Sequence, residues 1–159
     1  INGPGIELIK VTSASEMHKA CINAFPDADI TIMAAAVADF SPANVGSNKL
    51  KKDKNLSSIE IVPTIDILSD LGKNKIGKQI LVGFALETDN EKQNALKKLN
   101  NKNLDIIVLN SLLDKGAGFG YDTNKVTIIT KNGDEFIFGL KQKHEVAQDI
   151  LEVINNISN

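Results

Sequence analysis

Three short apolar runs place the strongest limit on how this chain can fold. Residues 30–36 (ITIMAAA), 80–85 (ILVGFA) and 105–110 (DIIVLN) are nearly continuous in apolar side chains. A strand that is covered on both faces has this pattern, whereas a strand with one face in water alternates apolar and polar residues. Helical patterns separate the three runs. The sequence therefore predicts a βαβ arrangement with a mainly parallel sheet.

The N-terminal third predicts further elements of the same kind. Residues 6–11 (IELIKV) favour a strand, and residues 59–62 favour a second, shorter one. Ser13 and Glu16 have the spacing of a capping box, which begins a helix.

The C-terminal third predicts an antiparallel extension of the sheet. Residues 126–130 and 135–140 alternate apolar and polar side chains around Asn132-Gly133, a strong hairpin signal. An amphipathic helix follows and would cover one face of the sheet. We expect one three-layer α/β domain over residues 1–159, with a mainly parallel sheet and an antiparallel hairpin extension.

The composition fits an ordinary globular domain and argues against several classes of protein. Of the 159 residues, 42% are hydrophobic and 24% are charged. The single Cys21 cannot close an internal disulfide and is typical of a reducing compartment. The net charge of −2 argues against general binding to nucleic acid or membranes. No apolar run approaches the roughly 20 residues that cross a bilayer, so we expect a cytoplasmic protein.

The residues that follow the buried strands are the first candidates for a site, because ligands in open α/β sheets bind beyond the carboxyl ends of the strands. Ala34, Ala35 and Ala36 are small enough for a ligand to approach the backbone, and Asp39 follows them. Phe84 offers a flat face at the next strand end. The alternative is a tightly packed strand with a solvated Asp39 and with Phe84 in the core.

The basic residues are the second candidates. All 18 cationic side chains are Lys, since the chain has no Arg, so side chains that bind phosphate here must be ammonium groups. Lys49 begins a basic cluster in the polar segment 41–58, and Lys98 and Lys102 lie four residues apart in a predicted helix. Like charges at that spacing disfavour a helix unless an anion lies between them. A solvated basic surface remains the alternative.

Six motifs in order resemble one known family. They are AAAVADF at 34–40, Lys49-x-Lys51-Lys52, VPTID at 62–66, GFALET at 83–88, the pair Lys98 and Lys102 before Asn103-Leu104-Asp105, and Gly118-Phe119-x-x-Asp122-x-Asn124. Together they resemble phosphopantothenate-cysteine ligase, the second domain of the bifunctional bacterial coenzyme A biosynthesis protein (Dfp or CoaBC). The resemblance covers nearly the whole chain and implies a Rossmann-like domain.

The resemblance also implies an activity and a set of site residues. In this family CTP, with Mg²⁺, activates the carboxylate of 4′-phosphopantothenate as an acyl-cytidylate, and the cysteine amine then displaces CMP. It implies that Lys49 is catalytic and that Asp39 contacts the nucleotide or the metal. The implied nucleotide-binding residues are Ala35, Ala36, Asp39, Pro63, Thr64, Ile65, Asp66, Phe84, Lys98 and Lys102. Ile65 stands where the family commonly has Pro.

Two further expectations come from the family. It is dimeric, and its Lys-rich loop reaches the partner's site, so Lys49 is expected to complete a site on a neighbouring subunit. The family's domain begins with a glycine-rich βαβ segment that does not precede Ile1 in this sequence, so we expect the chain to be the C-terminal part of the domain. FMN is expected only if a decarboxylase domain lies upstream.

Two other classes of function remain open on the residues alone. One is a Rossmann-like module that binds a nucleotide without ligating anything, and the other is an NAD(P)-dependent oxidoreductase. The loop that carries Lys49 has no role in hydride transfer, which favours the ligase.

Overall fold

The computed structural model describes residues 3–44, 58–111 and 120–158. Four α-helices lie in these ranges: α1 (Ala14–Ala24), α2 (Ile67–Asn74), α3 (Glu91–Asn101) and α4 (Lys143–Ser158). The strands are β1 (Ile30–Met33), β2 (Phe40–Pro42), β3 (Ile61–Pro63), β4 (Ile80–Glu87), β5 (Ile106–Ser111), β6 (Thr123–Asn124), β7 (Val126–Thr130), β8 (Glu135–Ile137) and β9 (Lys141–Gln142). None of the helices in the described ranges is long and apolar enough to span a membrane.

The main sheet has five strands in the order β1-β4-β5-β7-β8. Strands β1, β4 and β5 are parallel, with Ile30 opposite Ile80 and Val82 opposite Ile106. Strands β7 and β8 continue the sheet in antiparallel pairing. Gly133 turns the β7–β8 hairpin at a φ of 93°, a conformation that favours glycine. The predicted α/β fold, with its parallel core and antiparallel extension, is confirmed.

Helices cover both faces of this sheet and make three layers. One core cluster joins α2 and α3 to the sheet through buried residues that include Leu71, Leu99 and Ile107, and α1 packs at its edge. The other joins α4 to the opposite face and includes Val82, Val108 and Ile150. Because successive residues of β4 face opposite ways, Val82 and Phe84 contact the α4 layer while Leu81 and Ala85 contact the other.

A buried ionic cluster fastens the amino ends of β4 and β5. The Asp105 side chain is only 2% exposed, and it accepts hydrogen bonds from Lys75 Nζ at 2.8 Å, from Lys131 Nζ and from the Leu81 N–H at 2.8 Å. Burial alone would raise the pKa of Asp105, but these hydrogen bonds outweigh it and hold the pKa below its ordinary value. The carboxylate is therefore ionised in the folded protein at neutral pH.

The predicted strand over residues 6–11 is wrong. The segment has no strand conformation, and the Ile6, Leu8 and Ile9 side chains are more than half exposed. A strand needs a neighbour for its backbone hydrogen bonds, and no described strand pairs with this segment. The apolar pattern of the segment was correct for a strand, but the structure gives it no sheet to join.

Two predicted strands have different bounds or a different place. The second strand of the hairpin ends at Ile137, because Phe138 N–H turns back to the carbonyl of Val126. The strand predicted over residues 59–62 is β3, shifted toward Pro63. It lies outside the main sheet and pairs with β2 in a separate antiparallel ribbon, with Phe40 opposite Pro63.

Candidate functional site

A cavity of about 430 Å³ lies at the carboxyl ends of β1, β4 and β5, under the first turns of α4. We call it the α4 pocket. Its lining residues are Ala34, Ala35, Ala36, Phe84, Ala85, Leu86, Asn110, Asn124, Lys143, Val146, Ala147 and Ile150. The pocket lies where ligands bind in open α/β sheets.

The local sequence explains why a cavity forms here. The three alanines after β1 have side chains too small to fill the space beneath α4. Gly83 serves the opposite face of β4, where a Cβ atom would lie 2.7 Å from Leu68 Cδ2 and 2.8 Å from Leu104 Cδ1. Glycine at this position therefore lets α2 pack closely on the sheet, while Phe84 points the other way and walls the pocket.

A pair of amides forms the polar wall of the α4 pocket. Asn124 is 8% exposed; its Nδ2 donates to Asn110 Oδ1 at 3.2 Å, and its Oδ1 accepts from the Lys125 N–H at 3.0 Å. The sequence analysis assigned no role to either asparagine. The available signal was position, because Asn110 ends a buried strand and Asn124 belongs to the last of the six motifs.

The two predicted nucleotide-binding lysines of α3 lie on the other face of the sheet edge. Lys98 Nζ is 2.6 Å from Glu87 Oε1, and Lys102 Nζ is 2.8 Å from Asp66 Oδ2. These ion pairs compensate the repulsion between the two lysines without any bound anion. A phosphate that binds here must share these ammonium groups with the two carboxylates.

Asp66 has a second task, since it begins α2. Its Oδ1 accepts from the Ser69 N–H at 3.0 Å, which caps the helix. Burial raises the pKa of Asp66, but the hydrogen bonds from Lys102 and from Ser69, with the Lys102 charge, outweigh it and lower the pKa. The carboxylate that faces Lys102 is therefore held in place by the backbone of α2.

The segments around Asp39 and residues 63–66 lie side by side. The Thr64 N–H donates to the carbonyl of Asp39 at 2.8 Å, and the Thr64 hydroxyl donates to the carbonyl of Ala38 at 2.5 Å. The Asp39 and Ile65 side chains are exposed, and Pro63 belongs to the β2–β3 ribbon. Among the described residues, no three His, Cys, Asp or Glu side chains form a metal-binding group.

The predicted site residues thus divide into two groups. Ala35, Ala36 and Phe84 line the α4 pocket, whereas Lys98 and Lys102 lie across the sheet edge with their carboxylates. Segments 38–39 and 63–66, which include Asp66, connect the strand ends to the second group. Lys49, with Lys51, Lys52 and Gly118-Phe119, lies outside the described residues.

Comparison with known proteins identifies relatives along nearly the whole chain. A curated protein from an unknown prokaryotic organism, named cysteine/cysteine sulfinic acid decarboxylase, is 53% identical over 94% of this chain and 42% of its own length. The coenzyme A biosynthesis bifunctional protein CoaBC of Bacillus subtilis (strain 168) is 45% identical over 96% of this chain and 37% of its own length. The chain thus spans about two fifths of the length of these relatives.

Solved structures show the same fold. The crystal structure of the C-terminal domain of coenzyme A biosynthesis bifunctional protein CoaBC superposes with a TM-score of 0.74 and 36% identity, covering 94% of this chain and 64% of that one. A Cab2 mutant in complex with phosphopantothenate-cysteine has a TM-score of 0.62 at 17% identity, covering 82% of this chain and 46% of that one. The second likeness shows the fold alone.

The family model of the DNA/pantothenate metabolism flavoprotein C-terminal domain matches residues 2–157. That match takes in the α4 pocket, the lysines of α3 and the β2–β3 ribbon. The chain therefore belongs to the family of DNA/pantothenate metabolism flavoprotein C-terminal domains.

Proposed function

We propose that this chain carries the site of a CTP-dependent ligase that joins 4′-phosphopantothenate to cysteine. The observation that carries the proposal is the paired site at the strand ends, in a chain 45% identical to a coenzyme A biosynthesis protein. The substrate carboxylate attacks the α-phosphorus of CTP and releases pyrophosphate. The cysteine amine then attacks the acyl carbonyl, loses a proton and displaces CMP.

The chemistry requires cations around the triphosphate, because negative charge moves onto the departing pyrophosphate. Lys98 and Lys102 are placed to supply two of them, and Lys49 a third in the transition state. Mg²⁺ would supply the rest; it is usually held by one or two carboxylates together with the substrate phosphates. Asp39 is the carboxylate we assign to that side of the nucleotide.

We also infer that the domain continues beyond this chain on the outer side of β1. Ile30 and Ile32 on β1 are 46% and 40% exposed, and among the described strands β1 has a partner only on its β4 side. An apolar strand in this position is normally paired. A further strand beside β1 would cover these side chains, and the glycine-rich βαβ segment of the family is our candidate.

We propose that the protein is a homodimer with shared sites. In the β2–β3 ribbon and its flank, Phe40, Ile59 and Ile61 are each more than half exposed, which is typical of an interaction surface. The segment that carries Lys49 connects the two strands of this ribbon in sequence. Contact through the ribbon would thus carry Lys49 toward the neighbouring subunit.

Pyrophosphate and CMP release test the ligase proposal on the full-length protein. We expect pyrophosphate from CTP only when 4′-phosphopantothenate is present, and CMP only after cysteine is added. Inert CTP, or oxidation of NADH by a pantothenate derivative, would overturn the proposal.

Complementation tests the shared site. Lys49→Gln and Asp39→Asn subunits, each inactive alone, are co-expressed so that mixed dimers form. We expect activity to return, because one of the two sites in a mixed dimer has both residues intact. No recovery in verified mixed dimers would contradict the shared site.

A further inference from the structure

The α4 pocket and the lysines of α3 are separate compartments. Phe84 and the α4 side chains Val146 and Ile150 belong to one core cluster, whereas α3 packs in the other, across the sheet. The two compartments meet at the strand-end alanines 34–36. A reaction between two large substrates can therefore take one substrate from each face and join them at this edge.

The hydrogen bonds of the amide pair determine what the pocket can recognise. The Lys125 N–H occupies Asn124 Oδ1, so the Asn124 amide presents Nδ2 to Asn110. Asn110 accepts that bond through Oδ1, which leaves its Nδ2 group as the donor for any ligand. A group bound there must be an acceptor, such as a carbonyl oxygen.

The remaining walls favour a ligand that is apolar in its middle and anionic at one end. Val146, Ala147 and Ile150 form an aliphatic wall along α4. Lys143, at the first position of α4, is the one charged residue among the described lining residues, and it is exposed to solvent. One ammonium group suits a phosphomonoester better than a triphosphate, whose greater charge needs several cations.

We propose that the α4 pocket binds the acyl substrate, with Asn110 donating to its amide carbonyl and Lys143 pairing with its phosphate. This assignment rests on the proposed function, because 4′-phosphopantothenate has an amide carbonyl, geminal methyl groups and a phosphate in one extended molecule. Its carboxylate would then reach the strand-end alanines, where the nucleotide arrives from the α3 side. Asn124 is a positioning residue, because it acts through Asn110.

Two variants of the full-length protein test the assignment. Asn110→Asp keeps the oxygen that Asn124 needs but replaces the donor with an acceptor, so the fold should be retained. Lys143→Gln removes the charge, and Lys97→Gln, on an exposed face of α3, is the control. Calorimetry measures the binding of 4′-phosphopantothenate and of pantothenate, and steady-state kinetics gives KM for 4′-phosphopantothenate and for CTP.

We expect Asn110→Asp to weaken both ligands at least 10-fold. Lys143→Gln should weaken only 4′-phosphopantothenate by that factor, so that its advantage over pantothenate disappears, while KM for CTP changes less than 2-fold in both variants. An increase in KM for CTP with unchanged 4′-phosphopantothenate binding would assign the pocket to the base and overturn the proposal. Normal ligand binding by a folded Asn110→Asp would reduce the amide pair to a structural contact.

The failure of the proposed function is distinguishable. A wild-type protein that binds 4′-phosphopantothenate by calorimetry but never releases pyrophosphate from CTP would refute the ligase and leave the pocket assignment standing. Binding with the expected losses in the two variants supports the pocket independently of turnover.

Discussion

Replacement of Asp105 by Asn should destabilise the domain strongly. The substitution keeps the shape of the side chain but removes the charge that Lys75 and Lys131 share. Lys75 is the costly partner, because its side chain is 11% exposed and would remain as a buried cation without a counterion. Lys131 is 57% exposed and can return to water, which reduces the cost.

The size of the effect follows from these exposures. Removal of one partner from a buried ion pair costs about 3–5 kcal/mol, and the exposure of Lys131 places the expected loss near the lower limit, about 3 kcal/mol. For a domain of this size that loss lowers Tm by about 6–12 °C. Urea denaturation should show a lower midpoint with an unchanged m-value. Asp89→Asn, at an exposed side chain, is the matched control and should change stability by less than about 0.5 kcal/mol.

The loss should also depend on pH in a defined direction. Since the pKa of Asp105 is lowered in the folded state, its stabilising effect is fully present above the unfolded pKa of about 3.9 and is lost as the pH falls through the folded value. The difference between wild type and Asp105→Asn should therefore be constant near neutral pH and shrink below about pH 4. A midpoint shift no larger than that of Asp89→Asn, or a pH-independent difference down to pH 2, would refute the reasoning.

Three other substitutions test the site and its support. Gly83→Ala should cost about 1–3 kcal/mol in urea denaturation, because the new Cβ overlaps two leucine side chains; an unchanged midpoint would mean that α2 shifts freely. Lys98→Gln should raise KM for CTP about 10-fold or more, whereas Lys97→Gln should not; equal effects would assign both to general surface charge. Lys49→Gln should lower kcat by about 10-fold to 150-fold with Tm unchanged, and unchanged turnover would return that segment to a solvated surface.

Elements with a local signal could be predicted from the sequence. Strands β4 and β5 are buried on both faces, and their continuous apolar runs identified them and the edge where the α4 pocket lies. The turn at Gly133 is equally local, since its conformation depends on two or three residues. Residues 6–11 failed because the pattern of a strand does not say whether a partner strand is present.

The contacts that define the site depend on residues far apart in the chain. Nothing in the spacing of Lys98 and Lys102 indicated that Glu87 and Asp66 would pair with them. The Asn110–Asn124 hydrogen bond joins two strands that are separated by a segment without apolar periodicity. Such pairings are set by the packing of whole elements, so the sequence predicted where the site is but not how its polar groups are partnered.

The ion pairs of α3 have a consequence for how quickly a nucleotide is captured. Lys98 with Glu87 and Lys102 with Asp66 sum to zero charge, so this side of the site projects little electric field into solvent. Long-range attraction accelerates association only where a patch carries net charge. A triphosphate would therefore arrive by ordinary diffusion, and its association rate should vary little with ionic strength. Selection for the anion then happens after contact, when phosphate oxygens compete with Glu87 and Asp66 for the two ammonium groups.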